Sequence, residues 1–112
     1  MSSVPSNASD PVEDILSVFR ETHGELQFTL KFVQEFEGHS FCSVKGECNF
    51  GRSPPELSIL KGLPEGELID TLIHELSHLV CGYEANHNDT WERCSEDLHL
   101  SLAARQFRAR DA

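Results

Sequence analysis

Two histidines and a glutamate near the middle of the chain have the types and spacing of a metal-dependent hydrolase site. They form the pattern H-E-x-x-H in the segment His74-Glu75-Leu76-Ser77-His78. Residues four apart on an α-helix share one face, so both imidazoles can reach a single Zn²⁺ ion at about 2.0–2.1 Å. Zn²⁺ lowers the pKa of a bound water towards about 7, and Glu75 is placed to accept the proton as general base. The chemistry that this set favours is hydrolysis of a peptide bond.

The context of the motif favours a metal site over a chance match of five residues. Apolar residues recur at three- and four-residue spacing from Glu65 to Cys81, and Gly82 is placed to end a helix there. The pattern therefore predicts a central amphipathic helix, with the two histidines offset from its apolar stripe. The stripe consists of Ile69, Leu72, Ile73, Leu76 and Val80.

A catalytic zinc site needs a third protein ligand and one open position. His87 is the preferred candidate, because Gly82 lets the chain leave the helix and a short loop can return His87 towards the metal. Cys81 lies about 10 Å of helical rise from His74, which is too far for one ion, so its expected role is packing. Three glutamates are alternative third ligands: Glu84, Glu92 and Glu96.

Three segments of the chain resemble the SprT-like zinc metallopeptidases, with the WLM group closely related. They are residues 56–60, residues 68–78 and residues 87–91. In the family these correspond to a strand, a helix with a D-T-L-x-H-E-x-x-H core, and an element that begins with a histidine and ends with an aromatic residue. The resemblance covers about residues 40–100. Asn88 departs from the Gly or Asp that usually follows the third histidine of the family.

The resemblance implies a role for each residue that matches the family motif. His74, His78 and His87 would be zinc ligands, Glu75 would be the catalytic base, and Trp91 would occupy the family's aromatic position. It further implies a zinc metalloendopeptidase whose partner is a protein or peptide substrate. The metzincin pattern is not met, because Cys81 and Glu84 stand where its glycine and third histidine would be.

The rest of the chain predicts an α+β fold around the central helix. Asp10 and Pro11 begin a first helix that Gly24 ends, and this helix is expected to pack on a sheet. From Glu25 the period changes to two, which predicts a half-buried strand. The residues on its apolar face are Leu26, Phe28, Leu30 and Phe32.

Short apolar pieces between Phe41 and Leu60 predict two or three further strands, in a small and mainly antiparallel sheet. Asn88 or Asp89 can cap a third helix that runs from near Thr90 towards Arg108. It carries Trp91, Leu98, Leu102 and Phe107. Residues 1–9 are expected to be a disordered tail, and residues 10–112 a single metallopeptidase domain.

Composition limits the partners. The 112 residues include 19 acidic and nine basic side chains, giving a net charge of −10 that disfavours direct binding to nucleic acid. Basic residues cluster only at Arg105, Arg108 and Arg110. The chain has no apolar run of about 20 residues and no signal-peptide pattern at its start, so we expect an intracellular protein, cytoplasmic or nuclear, that does not bind membranes.

Several other residues are weaker candidates. The four cysteines are expected to be reduced, and Cys42, Cys48 and Cys94 form a remote alternative as a second thiolate site. Asp70 is a possible hydrogen-bond partner of the ligands, with Thr71 beside it. Tyr83 suits packing at the helix end better than stabilisation of an oxyanion.

Two other functions stay open beside the metallopeptidase. One is a zinc-stabilised binding or adaptor domain whose cleft admits no peptide. The other is a self-inhibited minimal gluzincin in which residues 1–9 occupy the cleft. Glu75 favours the enzyme, because a purely structural zinc site has no use for a base at that position.

Overall fold

The computed structural model describes residues 10–34, 45–82 and 89–111. Three helices and three strands follow one another in these ranges, so the predicted α+β class is confirmed. Their order is α1 (Pro11–His23), β1 (Thr29–Val33), β2 (Gly46–Asn49), β3 (Glu56–Leu60), α2 (Glu65–Cys81) and α3 (Asp89–Asp111). The predicted tail at residues 1–9 and the apolar piece at residues 41–44 lie outside the described residues.

Helix α1 begins and ends at the residues that the sequence predicts. The Asp10 side chain accepts a hydrogen bond from the Val12 backbone N–H at 3.0 Å, and Pro11 follows it in the first turn. Gly24 ends the helix with φ of 75°, and its N–H donates to the Arg20 carbonyl. Local capping chemistry is therefore sufficient to place this helix in the chain.

Helix α2 matches its predicted range, Glu65–Cys81. At its end, Gly82 takes φ of 92° and its N–H donates to the His78 carbonyl at 2.8 Å. The buried stripe contains Leu72, Ile73 and Leu76, each with no exposed surface. The H-E-x-x-H segment consequently lies on a continuous helix, which fixes the relative positions of its side chains.

The sheet is mixed, so the prediction of a mainly antiparallel sheet is wrong. Its strand order is β1-β3-β2, in which β1 pairs with β3 in parallel and β2 pairs with β3 antiparallel. The antiparallel pair is joined by the short connection 50–55. The parallel pair is formed by β1 and β3, which are separated in sequence by β2. Parallel strands need a crossover connection, and the alternation of apolar residues within a strand does not reveal such a connection.

Strand β1 begins at Thr29, four residues later than the alternating pattern predicts. Phe28 and Leu30 are partly buried, whereas Leu26 and Phe32 are 41% and 38% exposed. Because β1 is an edge strand that contacts only β3 among the described elements, no helix covers the whole of its apolar face.

Helix α2 is the centre of the packing. It contacts β2 and β3 on one side and both other helices elsewhere. The backbone of helix α1 approaches α2 and α3, whereas its side chains reach towards the sheet: the Phe19 ring centroid lies 6.0 Å from that of Phe28, which directly precedes β1. The buried core draws on α1, β3, α2 and α3 and consists of Ile15, Val18, Phe19, Leu57, Ile59, Leu72, Ile73, Leu76, Cys94, Leu98 and Leu102.

Helix α3 contributes Leu98 and Leu102 to the core as predicted, but Phe107 is 65% exposed. The helix also presents Cys94 to the core as a free thiol, which agrees with the expectation of reduced cysteines. Asn88, one of its two predicted caps, lies outside the described residues. In the described ranges, no helix has the length and apolar character needed to cross a membrane.

Candidate metal and catalytic site

The side chains of His74 and His78 lie side by side on α2. Their ring centroids are 4.9 Å apart and the rings are inclined by 66°. Both residues are partly buried. This is the arrangement expected of two residues one helical turn apart, and it brings two imidazoles to the same face of the helix.

Trp91 of α3 packs against both histidines. Its ring centroid lies 4.9 Å from that of His74 and 5.7 Å from that of His78. Its indole N–H donates to the His74 backbone carbonyl at 3.4 Å. Trp91 thereby limits the rotation of both imidazoles and ties the start of α3 to the middle of α2.

Glu75 lies on a different side of α2, against strand β2. Its side chain is buried, with the residue only 7% exposed. The strand can approach this closely because residue 46 is glycine. A Cβ atom there would lie 3.1 Å from Glu75 Cγ, 3.2 Å from Glu75 Oε2 and 2.6 Å from Thr71 Cγ2.

Burial raises the pKa of Glu75 from 4.5 to about 7, because the folded protein removes water from the carboxylate. The negative charge of Glu47 on β2 raises this pKa further. The same surroundings raise the pKa of the Cys48 thiol to about 11, mainly through burial and then through the charge of Glu75. At neutral pH, Glu75 can therefore exchange a proton, while Cys48 stays a neutral thiol.

An open pocket of about 380 Å³ reaches both His74 and Glu75. Its wall is formed by α2 and by the start of β2. The residues that line it are Lys45, Gly46, Asp70, Thr71, His74 and Glu75. The pocket brings one candidate metal ligand and the candidate base to a common solvent-accessible space.

Two of the three predicted zinc ligands, His74 and His78, are adjacent. His87 lies outside the described residues, as do the alternative ligand Glu84 and the loop residue Tyr83. Within ranges 10–34, 45–82 and 89–111, no group of three or more His, Cys, Asp or Glu side chains could hold a metal ion. Neither Glu92 nor Glu96 therefore completes a three-ligand set with His74 and His78 in that part of the chain.

The donor chemistry of the two histidines fits Zn²⁺. Imidazole nitrogen is a preferred zinc ligand, and paired imidazoles one turn apart on a helix can share one ion. Two imidazoles with a glutamate beside them also match the composition of a catalytic zinc site better than that of a closed structural one. His74 and His78 would hold the ion, with the third ligand supplied from elsewhere in the chain.

Asp70 contacts His99 on α3, and its predicted support of a ligand imidazole stays a prediction. Its carboxylate lies 3.7 Å from His99 Nε2 on α3 and is 75% exposed. Thr71 is buried and its methyl group faces Gly46. Both residues contribute to the walls of the pocket.

The three described cysteines belong to three different elements. Cys48 is on β2, whereas Cys81 ends α2 and Cys94 is buried on α3; all three are free thiols. Cys42 lies outside the described residues. Cys81 packs against the core, as predicted.

The sequence did not indicate the residues that β2 adds to the site. Gly46 begins β2 and Lys45 directly precedes it; both lie in the predicted stretch of short strands, and neither was a candidate site residue. The one signal for Gly46 was its position within an otherwise strand-like segment, which is typical of a close backbone approach. Trp91 was predicted on α3, but its contact with both histidines depends on how the helices pack.

No family model, curated protein or solved structure matches this chain. The resemblance to the SprT-like metallopeptidases therefore stays a prediction that rests on the residues of the motif.

Proposed function

We propose that this protein is a zinc-dependent endopeptidase, SprT-like in its motif, in which Glu75 is the general base. The observation that carries the proposal is the position of a buried Glu75 and of His74 on one pocket, with His78 beside His74. His74 and His78 would hold Zn²⁺, with His87 as the proposed third ligand. When bound, Zn²⁺ supplies Lewis acidity, which favours attack by water on a peptide carbonyl.

The environment of Glu75 suits proton transfer at neutral pH. A general acid–base catalyst works best when its pKa lies near the operating pH, and in the metal-free chain that of Glu75 is about 7. Its carboxylate can accept a proton from the attacking water. Once protonated, the same group can return the proton to the leaving amine. Gly46 contributes by letting β2 exclude solvent from one side of this carboxyl group.

The first prediction concerns Glu75 itself. Glu75→Gln keeps the shape of the side chain but cannot accept a proton, so we expect zinc binding to persist and proteolysis to fall by about 10²- to 10⁴-fold. The measurement is the rate of cleavage of an unfolded fluorescein-labelled protein by the zinc-loaded full chain. Zinc content is determined in parallel by elemental analysis.

The matched control is Glu65→Gln, which removes an exposed carboxylate from the first turn of the same helix. It should cleave at the wild-type rate. Equal rates for Glu75→Gln and wild type would refute the assignment of the base. Zinc binding by a wild-type chain that cleaves no unfolded protein would favour the adaptor domain instead.

A further inference from the structure

The interface between α2 and α3 contains a pair of neighbouring thiols outside the candidate site. The side chain of Cys94 interacts with Cys81, the last residue of α2, and with Ser77 one turn earlier. Both cysteines belong to the packing around the core, Cys94 as a buried member and Cys81 as a partly buried neighbour. The two thiols thus belong to two helices that pack against each other.

We propose that Cys81 and Cys94 form a redox-active dithiol that hydrogen peroxide converts to a disulfide between α2 and α3. The proposal does not rest on the peptidase function. Its basis is the contact of the two side chains, their unequal exposure and the imidazole that faces Cys94.

The unequal exposure of the two cysteines determines which thiol reacts with peroxide first. Cys81 is partly exposed, whereas Cys94 is 7% exposed. Burial also raises the pKa of Cys94, which disfavours its thiolate as the first nucleophile. Cys81 therefore reacts first: its sulfur takes one oxygen atom from the peroxide, giving a sulfenic acid and one water molecule.

The second step joins the two helices. Cys94 sulfur attacks Cys81 sulfur, the S–O bond breaks and the oxygen leaves as water. His23, at the end of α1, has its Nε2 atom 3.8 Å from Cys94 Sγ and can accept the thiol proton, which then passes to the leaving hydroxide. Altogether the two thiols lose two electrons and two protons, and the peroxide is reduced to two water molecules.

A metal site is not the better interpretation of this cluster. Cys81, Cys94 and His23 offer suitable ligand types, but in the part of the chain that the structure describes no three such groups are arranged to hold an ion. Cys48 lies away from the pair on β2, and its pKa of about 11 makes it a poor competitor for peroxide. The pair is therefore the preferred target among the cysteines that the structure describes.

The disulfide would close the segment 82–93 into a loop. This segment contains Trp91, which packs on both candidate ligands, and the predicted ligand His87. A covalent link at its two ends would restrict the part of the chain from which the third zinc ligand is expected.

Trypsin offers a direct test, because the four cysteines fall in four different tryptic peptides. Those peptides span residues 32–45, 46–52, 62–93 and 94–105. The full chain is treated with a small excess of hydrogen peroxide at low protein concentration, remaining thiols are alkylated, and the digest is analysed by mass spectrometry without reduction. We expect a linked pair of peptides 62–93 and 94–105, and a loss of two of the four thiols that dithiothreitol restores.

Two variants make the result specific. Cys81→Ser should abolish the linked pair and leave Cys94 alkylated, whereas Cys48→Ser should form the pair as wild type does. Links that involve the other two cysteine peptides, links between two chains, or oxidation of Cys81 to the sulfinic acid with no link would each overturn the proposal.

Discussion

Gly46 is the residue of the candidate site whose replacement tests how closely β2 packs against α2. In Gly46→Ala the new methyl group would lie 2.6 Å from Thr71 Cγ2 and 3.1 Å from Glu75 Cγ, so β2 and α2 must move apart. Overpacking of this kind costs about 1–3 kcal/mol. We expect that loss in the free energy of unfolding, measured in urea.

A second glycine in the same pair of elements is the control. Gly66 lies in α2, and a Cβ atom there would have nothing within 4 Å. Gly66→Ala should match the wild-type stability or exceed it by up to about 1 kcal/mol, because alanine favours the helix. Similar stability of Gly46→Ala and Gly66→Ala would show that β2 does not press on Glu75 as described.

The raised pKa of Glu75 predicts how stability depends on pH in metal-free protein. Between its ordinary value of 4.5 and its folded value of about 7, the folded state binds more protons than the unfolded state. The free energy of unfolding therefore falls as the pH rises through this window, and the loss is complete above it. Below pH 4.5 the carboxyl group is protonated in both states and contributes nothing.

Glu75→Gln removes this loss. The variant should become more stable relative to wild type as the pH rises from 4.5 to about 7, by at most about 3 kcal/mol. Urea unfolding across this range with a chelator present measures the difference. A difference that stays constant with pH would contradict the buried, ionisable state of Glu75.

At the scale of elements, the helices were predictable because their signals are local. Helix α1 begins after Asp10, with Pro11 in its first turn, and ends before Gly24, through capping contacts within a few residues. Helix α2 repeats its apolar positions over 17 residues. The strand pairing was not predictable in the same way. A parallel β1–β3 pair depends on the path of the intervening chain, which leaves no mark in the periodicity of either strand.

The residues of the candidate site likewise fall into those that local spacing predicts and those that packing brings together. His74, Glu75 and His78 share one helix, so their spacing alone placed them together. Gly46 and Trp91 reach the site from β2 and α3, through packing that joins residues far apart in sequence. The Asp70–His99 contact was missed for this reason, and so was the neighbourhood of Cys94.

One ion pair between α1 and α3 is open to a direct stability measurement. Arg105 Nε donates to Asp14 Oδ1 at 3.2 Å, where the Asp14 side chain is only 12% exposed. Because little water competes for this carboxylate, Asp14→Ala should lower the free energy of unfolding by about 1–2 kcal/mol. Thermal or urea unfolding measures the effect.

Glu21→Ala is the matched control for Asp14→Ala. Glu21 approaches the same Arg105 at 3.7 Å but is 65% exposed, so solvent screens the pair. Glu21→Ala should change the stability by less than about 0.5 kcal/mol. An equal cost for the two variants would mean that burial does not determine the strength of the Arg105 contacts.

Charge is the property of the whole molecule that most constrains its partners. Nineteen acidic residues against nine basic ones give a net charge of −10. The predicted basic cluster is weaker than the sequence indicated, because Arg105 already pairs with Asp14 and Glu21. Arg108 is exposed, but few positive charges oppose the overall negative field.

We therefore expect this chain to bind DNA weakly or not at all. Most non-specific affinity comes from basic side chains that neutralise phosphates, and ordinary non-specific binders reach about 10⁻⁴ to 10⁻⁶ M. Titration with single- and double-stranded DNA near physiological salt should give a Kd at or above the weak end of that range. Submicromolar binding that weakens steeply with salt would contradict this expectation, because it would require a basic surface that the net charge of −10 argues against.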